Sequence, residues 1–291
     1  MPTALRPLVL AAAALATSAL SRADLVPQAN PVAKDDLRIS GLFQALPGGS
    51  LRYLSRSALL AGPGVCHLHE KPADTIAAAD LTVVRLDSLA TSLRPAPGAD
   101  GIVLICADHW ESFIPLEFIN RVHPYLLLEY DGKTPAQGWP NINPVENIAP
   151  YYCSLSLALG PKADVYNDYG EIDATQIVEI RAANSTERYK PFYDGALAHL
   201  SPAASAGRKL FIRECNNCHQ GPAGVGGSTS QRPFAILQIH ASFNPAYFRI
   251  FVTNPKKFYP QTVMPSHEYF TPEMMNSLIA FLSEARVAGV N

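Results

Sequence analysis

Five consecutive residues in the last third of the chain, Cys215-Asn216-Asn217-Cys218-His219, carry the clearest chemistry. The spacing C-x-x-C-H lets two thiols form thioethers to a haem while the adjoining imidazole ligates its iron. A thioredoxin-like redox pair needs a βαβ setting, and a zinc half-site needs a further Cys/His pair; neither accompanies this motif. The spacing therefore predicts one covalently held haem c, with Cys215 and Cys218 as attachment points and His219 as an iron ligand.

A second iron ligand has to come from elsewhere. Met264 stands in Pro260-Gln261-Thr262-Val263-Met264-Pro265, 45 residues after His219 and ahead of a final helical pattern. An extended loop there can carry a thioether to the iron, and Met264 is the expected ligand. Met274 and Met275 fall inside the helical pattern and read as core. His240 and His267 compete, because imidazole binds ferric haem well and would lower its potential relative to His/Met ligation.

Those residues sit in a chain of 291, of which 48% are hydrophobic, with a formal net charge of −2. The length favours two domains, and nucleic acid is not an expected partner. At the N-terminus, Arg6 precedes an apolar run over residues 8–20 and then Ser21-Arg22-Ala23, with small side chains at the −3 and −1 positions of a signal-peptidase site. Residues 1–23 therefore read as a signal peptide, and an apolar run of about 13 residues is too short to anchor the mature chain in a bilayer. A periplasmic or otherwise exported, soluble location follows. Export agrees with covalent haem attachment, which bacteria carry out outside the cytoplasm, and it permits disulfides. Cys66, Cys106 and Cys153 remain after the haem cysteines, so one intramolecular pair at most can form, and the sequence leaves its identity open.

Residues 24–193 read as many short strands with a few helical turns. β-rich runs at 81–86, 101–106, 125–130, 151–157 and 176–180 are separated by turn-prone segments such as 95–98 and 135–144. The order of these pieces is similar to the small form of the sulfite-oxidase-like molybdopterin-binding domain. The matching motifs are Asp108-His109-Trp110 leading into Ile114-Pro115-Leu116, and the later hairpin Glu129-Tyr130-Asp131-Gly132-Lys133. In the full-length enzymes of that family a cysteine thiolate holds molybdenum, and Cys66 lies near where it would align. The pterin-cradling loops and an Arg-rich anion pocket are missing here, so molybdopterin is not an expected cofactor. Cys66, His67 and His69 form a C-H-x-H run, but side chains alternate along a strand, which sets Cys66 on one face and the two histidines on the other.

Residues 194–200 read as a linker, with the boundary near Leu200. Beyond it, residues 201–291 resemble the class I cytochrome c family over essentially their whole length. Gly207 and Phe211 match the small and aromatic pair by which the family's first helix crosses its last. Gly221 to Gly227 match the loop after the haem motif. Pro233 stands where the family has a proline whose carbonyl accepts from Nδ1 of the proximal histidine, a contact that orients the ring and strengthens its donation to iron. Met264 falls in the family's distal-ligand loop. Asn244-Pro245 and Thr271-Pro272 open helices, the last carrying Met275, Leu278, Ile279 and Leu282 on one stripe.

The fold expected from these resemblances is a multidomain chain: a β-rich α+β domain of the sulfite-oxidase-like type, followed by an all-α domain of the class I cytochrome c type. The expected function is single-electron transfer through one covalent haem, between periplasmic redox proteins such as a dehydrogenase donor and a terminal acceptor, with no catalytic residues of its own. Residues 201–291 carry eight Lys and Arg against four acids, net +4, whereas residues 24–200 carry −8. A basic face steers docking to acidic partners; the two halves also complement each other electrostatically. The competing reading is a haem-molybdenum oxidoreductase with Cys66 as metal ligand, so enzyme status stays open at this point.

Overall fold

The computed structural model describes residues 25–288 other than 145, and the expected signal peptide lies outside them. The chain runs β1 (Leu37–Gly41), β2 (Arg52–Leu54), α1 (Arg56–Ala61), β3 (Val65–Glu70), β4 (Ala79–Arg85), α2 (Leu86–Leu93), β5 (Gly101–Cys106), β6 (Glu111–Pro115), α3 (Leu116–Val122) and β7 (Tyr125–Tyr130). Six shorter or later strands follow: β8 (Asn141–Asn143), β9 (Glu146–Asn147), β10 (Cys153–Ser154), β11 (Tyr166–Asn167), β12 (Gly170–Glu171) and β13 (Ile177–Ala183). The rest is helical: α4 (Ser185–Tyr189), α5 (Pro202–Glu214), α6 (Phe234–Phe243), α7 (Pro245–Thr253) and α8 (Pro272–Ala288).

The larger sheet has strand order β2-β1-β13-β5-β6, in which β1 and β13 pair in parallel and the other pairs are antiparallel. A second, antiparallel sheet has the order β10-β7-β4-β3. An inner strand of each is buried on two faces, and strand alternation shows how. In β5, Ile102, Leu104 and Cys106 enter the core between the sheets, packed with Leu86, Leu89 and Ile119, while Val103 and Ile105 face the other way. In β7, Leu126 and Leu128 join the same inner core, while Tyr125 and Leu127 meet Trp139 and Ile148 beyond the second sheet.

What covers Val103 and Ile105 is the helical part of the chain. A single apolar cluster holds Val103, Ile105 and Phe113 from the larger sheet, Tyr189 and Phe192 from the segment after it, and Phe211, Leu278 and Phe281 from α5 and α8. This corrects the expected fold class. Among the described residues there are eight α-helices and several sheets in a mixed α/β arrangement, with helices interspersed among the strands from α1 onward. A β-rich part followed by an all-α part of the cytochrome c type is not what forms. The physical reason is that α5 and α8, packed on each other, share one apolar cluster with the outer face of β5 and β6, joined to it through Tyr189 and Phe192.

Local sequence sets the helix that leads into Cys215. Ser201 caps α5, its hydroxyl oxygen accepting from the Ala204 amide at 3.2 Å, and Pro202 occupies the first turn, where no N–H is needed. Ser201 also donates to the Glu284 carboxylate of α8 at 2.6 Å. Farther along, α5 crosses α8 at Gly207, where an added Cβ would lie 1.8 Å from the Ser277 carbonyl oxygen. Only a residue without a side chain admits that approach. No helix among the described residues is long and apolar enough to cross a membrane.

Candidate functional site

The end of α5 delivers Cys215 to the wall of a cleft, and the turn that follows brings Cys218 and His219 to the same wall. The cleft holds about 1140 Å³ of space free of protein atoms, part of it open to solvent. Its sides are mostly apolar, with Phe211, Phe248, Val252 and Leu278 contributed by three different helices. Met264 reaches this cleft from the extended loop ahead of α8, and His267, three residues on, lines it too. Met274 and Met275 lie within α8, and Met275 packs in the core. His240 lies on α6 with its ring 6.2 Å from that of Tyr247 and does not line the cleft.

The electrostatics of the wall follow from burial. Burial pushes the Cys215 thiol well up, with Glu214 adding to it. The Cys218 thiol is pushed up to about 12, chiefly by burial, then by Asp108 and Glu171, with the Trp110 indole N–H beside the sulfur working against them. Both thiols are therefore neutral at ordinary pH. A thiolate is what ligates a bare metal ion, and no group of three or more His, Cys, Asp or Glu suited to holding one occurs among the described residues. His219 is held down to about 4, mainly by burial, then by His267 and Arg232, while the Arg232 backbone favours the protonated ring. Its imidazole is neutral at pH 7 and has a lone pair to donate.

Two buried nitrogens in this wall lack hydrogen-bond partners, Nδ1 of His219 and Nδ1 of His267. Orphaned buried polar atoms cost about 1–3 kcal/mol each and mark places where a fold gives up stability for another purpose. Pro233 precedes α6, and its carbonyl accepts from the Ile236 amide at 2.9 Å; no hydrogen bond joins it to His219. The donors along the cleft, two thiols, two imidazoles and a thioether in an apolar setting, fit the covalent and iron-ligating needs of a haem.

The other residues singled out by sequence stay apart from this cleft. Cys66 sits in β3 with its thiol donating to the Gly64 carbonyl at 3.4 Å. His69 bonds Asp80 at 2.7 Å through Nδ1 on the exposed face, and His67 faces Thr82 at 3.4 Å. Cys106 and Cys153 are buried free thiols, both pushed up by burial.

Two features escaped the sequence reading. Asn216 and Asn217, the spacers of C-x-x-C-H, are buried, at 3% and 7% exposure, although polar. Glu171, beside Tyr166 and near α5, has its carboxyl pushed up to about 7, first by burial and then by Asp173. A polar spacer inside a haem motif could have signalled the first; nothing in sequence signals the second.

No protein-family model matches the chain, and no curated protein matches it.

Proposed function

We propose that the chain is an exported electron carrier that holds one haem through Cys215 and Cys218, with His219 and Met264 as its iron ligands. The observation that carries this reading is convergence: Met264, 45 residues from His219 in sequence, lines the same apolar cleft as Cys215, Cys218 and His219. When bound there, haem supplies one-electron redox chemistry. The protein's residues bind it, orient it and exclude water. Neutral His219 offers a nitrogen lone pair, Cys215 and Cys218 supply the S–H groups that add across vinyl groups, and the phenylalanine-rich wall keeps solvent reorganisation small.

Its rim supports docking to another redox protein. Val263, 79% exposed, and Tyr259, 50% exposed, line the cleft mouth, and Lys256 and Lys257 stand exposed just before them. Apolar contact with positive charge beside it suits an acidic periplasmic donor or acceptor. Not all the basic residues of this part take part. Arg208 is buried, donating to the Leu197 and Phe192 carbonyls at 2.7 and 3.2 Å.

Expression of the full chain with its leader, alongside a cytochrome c maturation system, tests the reading. Haem that survives denaturing electrophoresis, with an alkaline pyridine spectrum of the two-thioether type, is the expected result. Protein recovered without covalent haem overturns it.

A further inference from the structure

The C-x-x-C-H spacing leaves the two middle residues free as far as haem chemistry is concerned, yet here both make buried hydrogen bonds of different kinds. Asn216 serves its own loop, donating from Nδ2 to the carbonyls of His219 at 3.0 Å and Val225 at 2.8 Å. Asn217 reaches out of the loop. Its Nδ2 donates to the Glu111 carbonyl at 2.7 Å, and the Glu111 amide donates back to the Asn217 carbonyl at 3.0 Å. Both backbone groups of the first residue of β6 are thus taken by one residue, adjacent to Cys218. Gly170 makes room for it, since a Cβ there would come within 2.1 Å of Asn217 Oδ1.

Neighbouring contacts run the same way. The Ser228 amide donates to the His109 carbonyl at 2.8 Å, Thr229 donates to Asp108 Oδ2 at 3.3 Å, and the Trp110 indole lies beside the Cys218 sulfur. Four successive residues, 108 to 110 of the β5–β6 turn and Glu111 of β6, therefore each touch the motif or the loop that follows it, between residues 217 and 229. From the far side, Arg188 holds Glu111 by an ion pair of 2.5 Å, with both side chains mostly buried.

We infer that Asn217 is a positioning residue, through which the larger sheet fixes the orientation of Cys218 and His219 and so tunes the haem environment. The inference rests on the proposed haem attachment. It gives residues 101–115 a role inside the redox site, distinct from that of a separate docking platform.

The test uses full-length protein carrying covalent haem and reads midpoint potential and the g-values of the ferric electron paramagnetic resonance spectrum, which report the orientation of the axial imidazole. Asn217→Ala removes the Nδ2 half of the clamp, leaving the Glu111 amide to Asn217 carbonyl bond, without adding charge. Haem should remain attached, because both thioethers are untouched, while the g-values and the potential move away from wild type. Arg188→Lys, which alters the hold on the Glu111 carboxylate and the contact with the Tyr189 ring but not the Asn217 bonds, should give a smaller shift. Ser55→Ala, which removes the cap of α1 far from the motif and from α4, should lower the melting temperature and leave the g-values alone. Asn217→Ala and Arg188→Lys spectra that both match wild type overturn the inference while leaving haem attachment intact. If Asn217→Ala retains no haem, Arg188→Lys decides: shifted g-values support the clamp and wild-type values overturn it. Wild-type protein without covalent haem overturns both readings.

Discussion

The ring of Phe192 lies 6.0 Å from that of Phe211 and is fully buried, although Phe192 precedes the expected linker and Phe211 follows it. Phe281 of α8 is 6.3 Å from the same ring, and Gly221 of the haem-motif loop leaves a notch for it, where a Cβ would lie 2.1 Å from the Phe192 ring. One aromatic side chain thus joins the sheet, both long helices and the loop after His219. Phe192→Ala should cost about 3–5 kcal/mol, read as a lowered midpoint in urea. A chain starting at residue 201 lacks Phe192, Tyr189 and Phe113, leaves Phe211 and Phe281 uncovered, and should show neither cooperative unfolding nor native near-ultraviolet circular dichroism. Native signals from that fragment would show that the shared cluster is dispensable.

Gly207 gives a second test of packing. Its replacement by alanine sets a methyl group against the Ser277 carbonyl at 1.8 Å, so α5 and α8 must separate. Forced overpacking costs about 1–3 kcal/mol. Phe211, Leu278 and Leu282 line the cleft from these two helices, so haem uptake should fall along with the melting temperature. A Gly207→Ala protein with wild-type stability and uptake would show that the crossing yields without cost.

These residues also show what sequence can reveal. Gly207 and Phe211 were legible because a glycine and an aromatic one helical turn apart leave a pattern within a single element. That Cys215, Cys218 and His219 share one wall was legible because the spacing C-x-x-C-H is local. The run of β5 was legible as β-rich, without its burial on both faces. What covers them is a matter of distant surfaces, and periodicity within the run carries no information on that. The Asn217–Glu111 pairing spans 106 residues and uses a polar type that looks exposed. For the same reason the helical part was read as closing on itself, when its core includes β5, β6 and the segment around Phe192.

For the proposed iron ligand, Met264→Ala should leave haem covalently attached and remove the weak sulfur-to-iron charge-transfer absorption at the red end of the ferric spectrum. The midpoint potential should fall as water or His267, which lines the same cleft, replaces the thioether. If the band and the potential survive this change and disappear on replacing Met274 or Met275, the ligand is misassigned.

Glu171 makes stability depend on pH in a direction opposite to that of most carboxylates. Its carboxyl is pushed from 4.5 up to about 7, first by burial and then by Asp173, while the Tyr166 hydroxyl works the other way. Between those two values the folded chain keeps a proton that the unfolded chain has given up. The folded state is therefore favoured most at the acidic end of the window, loses stability as pH rises toward 7, and changes little beyond it. The loss is at most about 3 kcal/mol, at 1.36 kcal/mol per pH unit. Asp173, whose carboxyl is also pushed up by burial, contributes a slope of its own, so the comparison that isolates Glu171 is with Glu171→Gln, which keeps the shape and cannot ionise. Urea unfolding at pH 5, 6, 7 and 8 should show the parent losing more stability than Glu171→Gln across this range, with the variant the more stable protein at pH 8. Parallel curves for the two proteins would place Glu171 in contact with water in the folded state, and its carboxyl in the ordinary range.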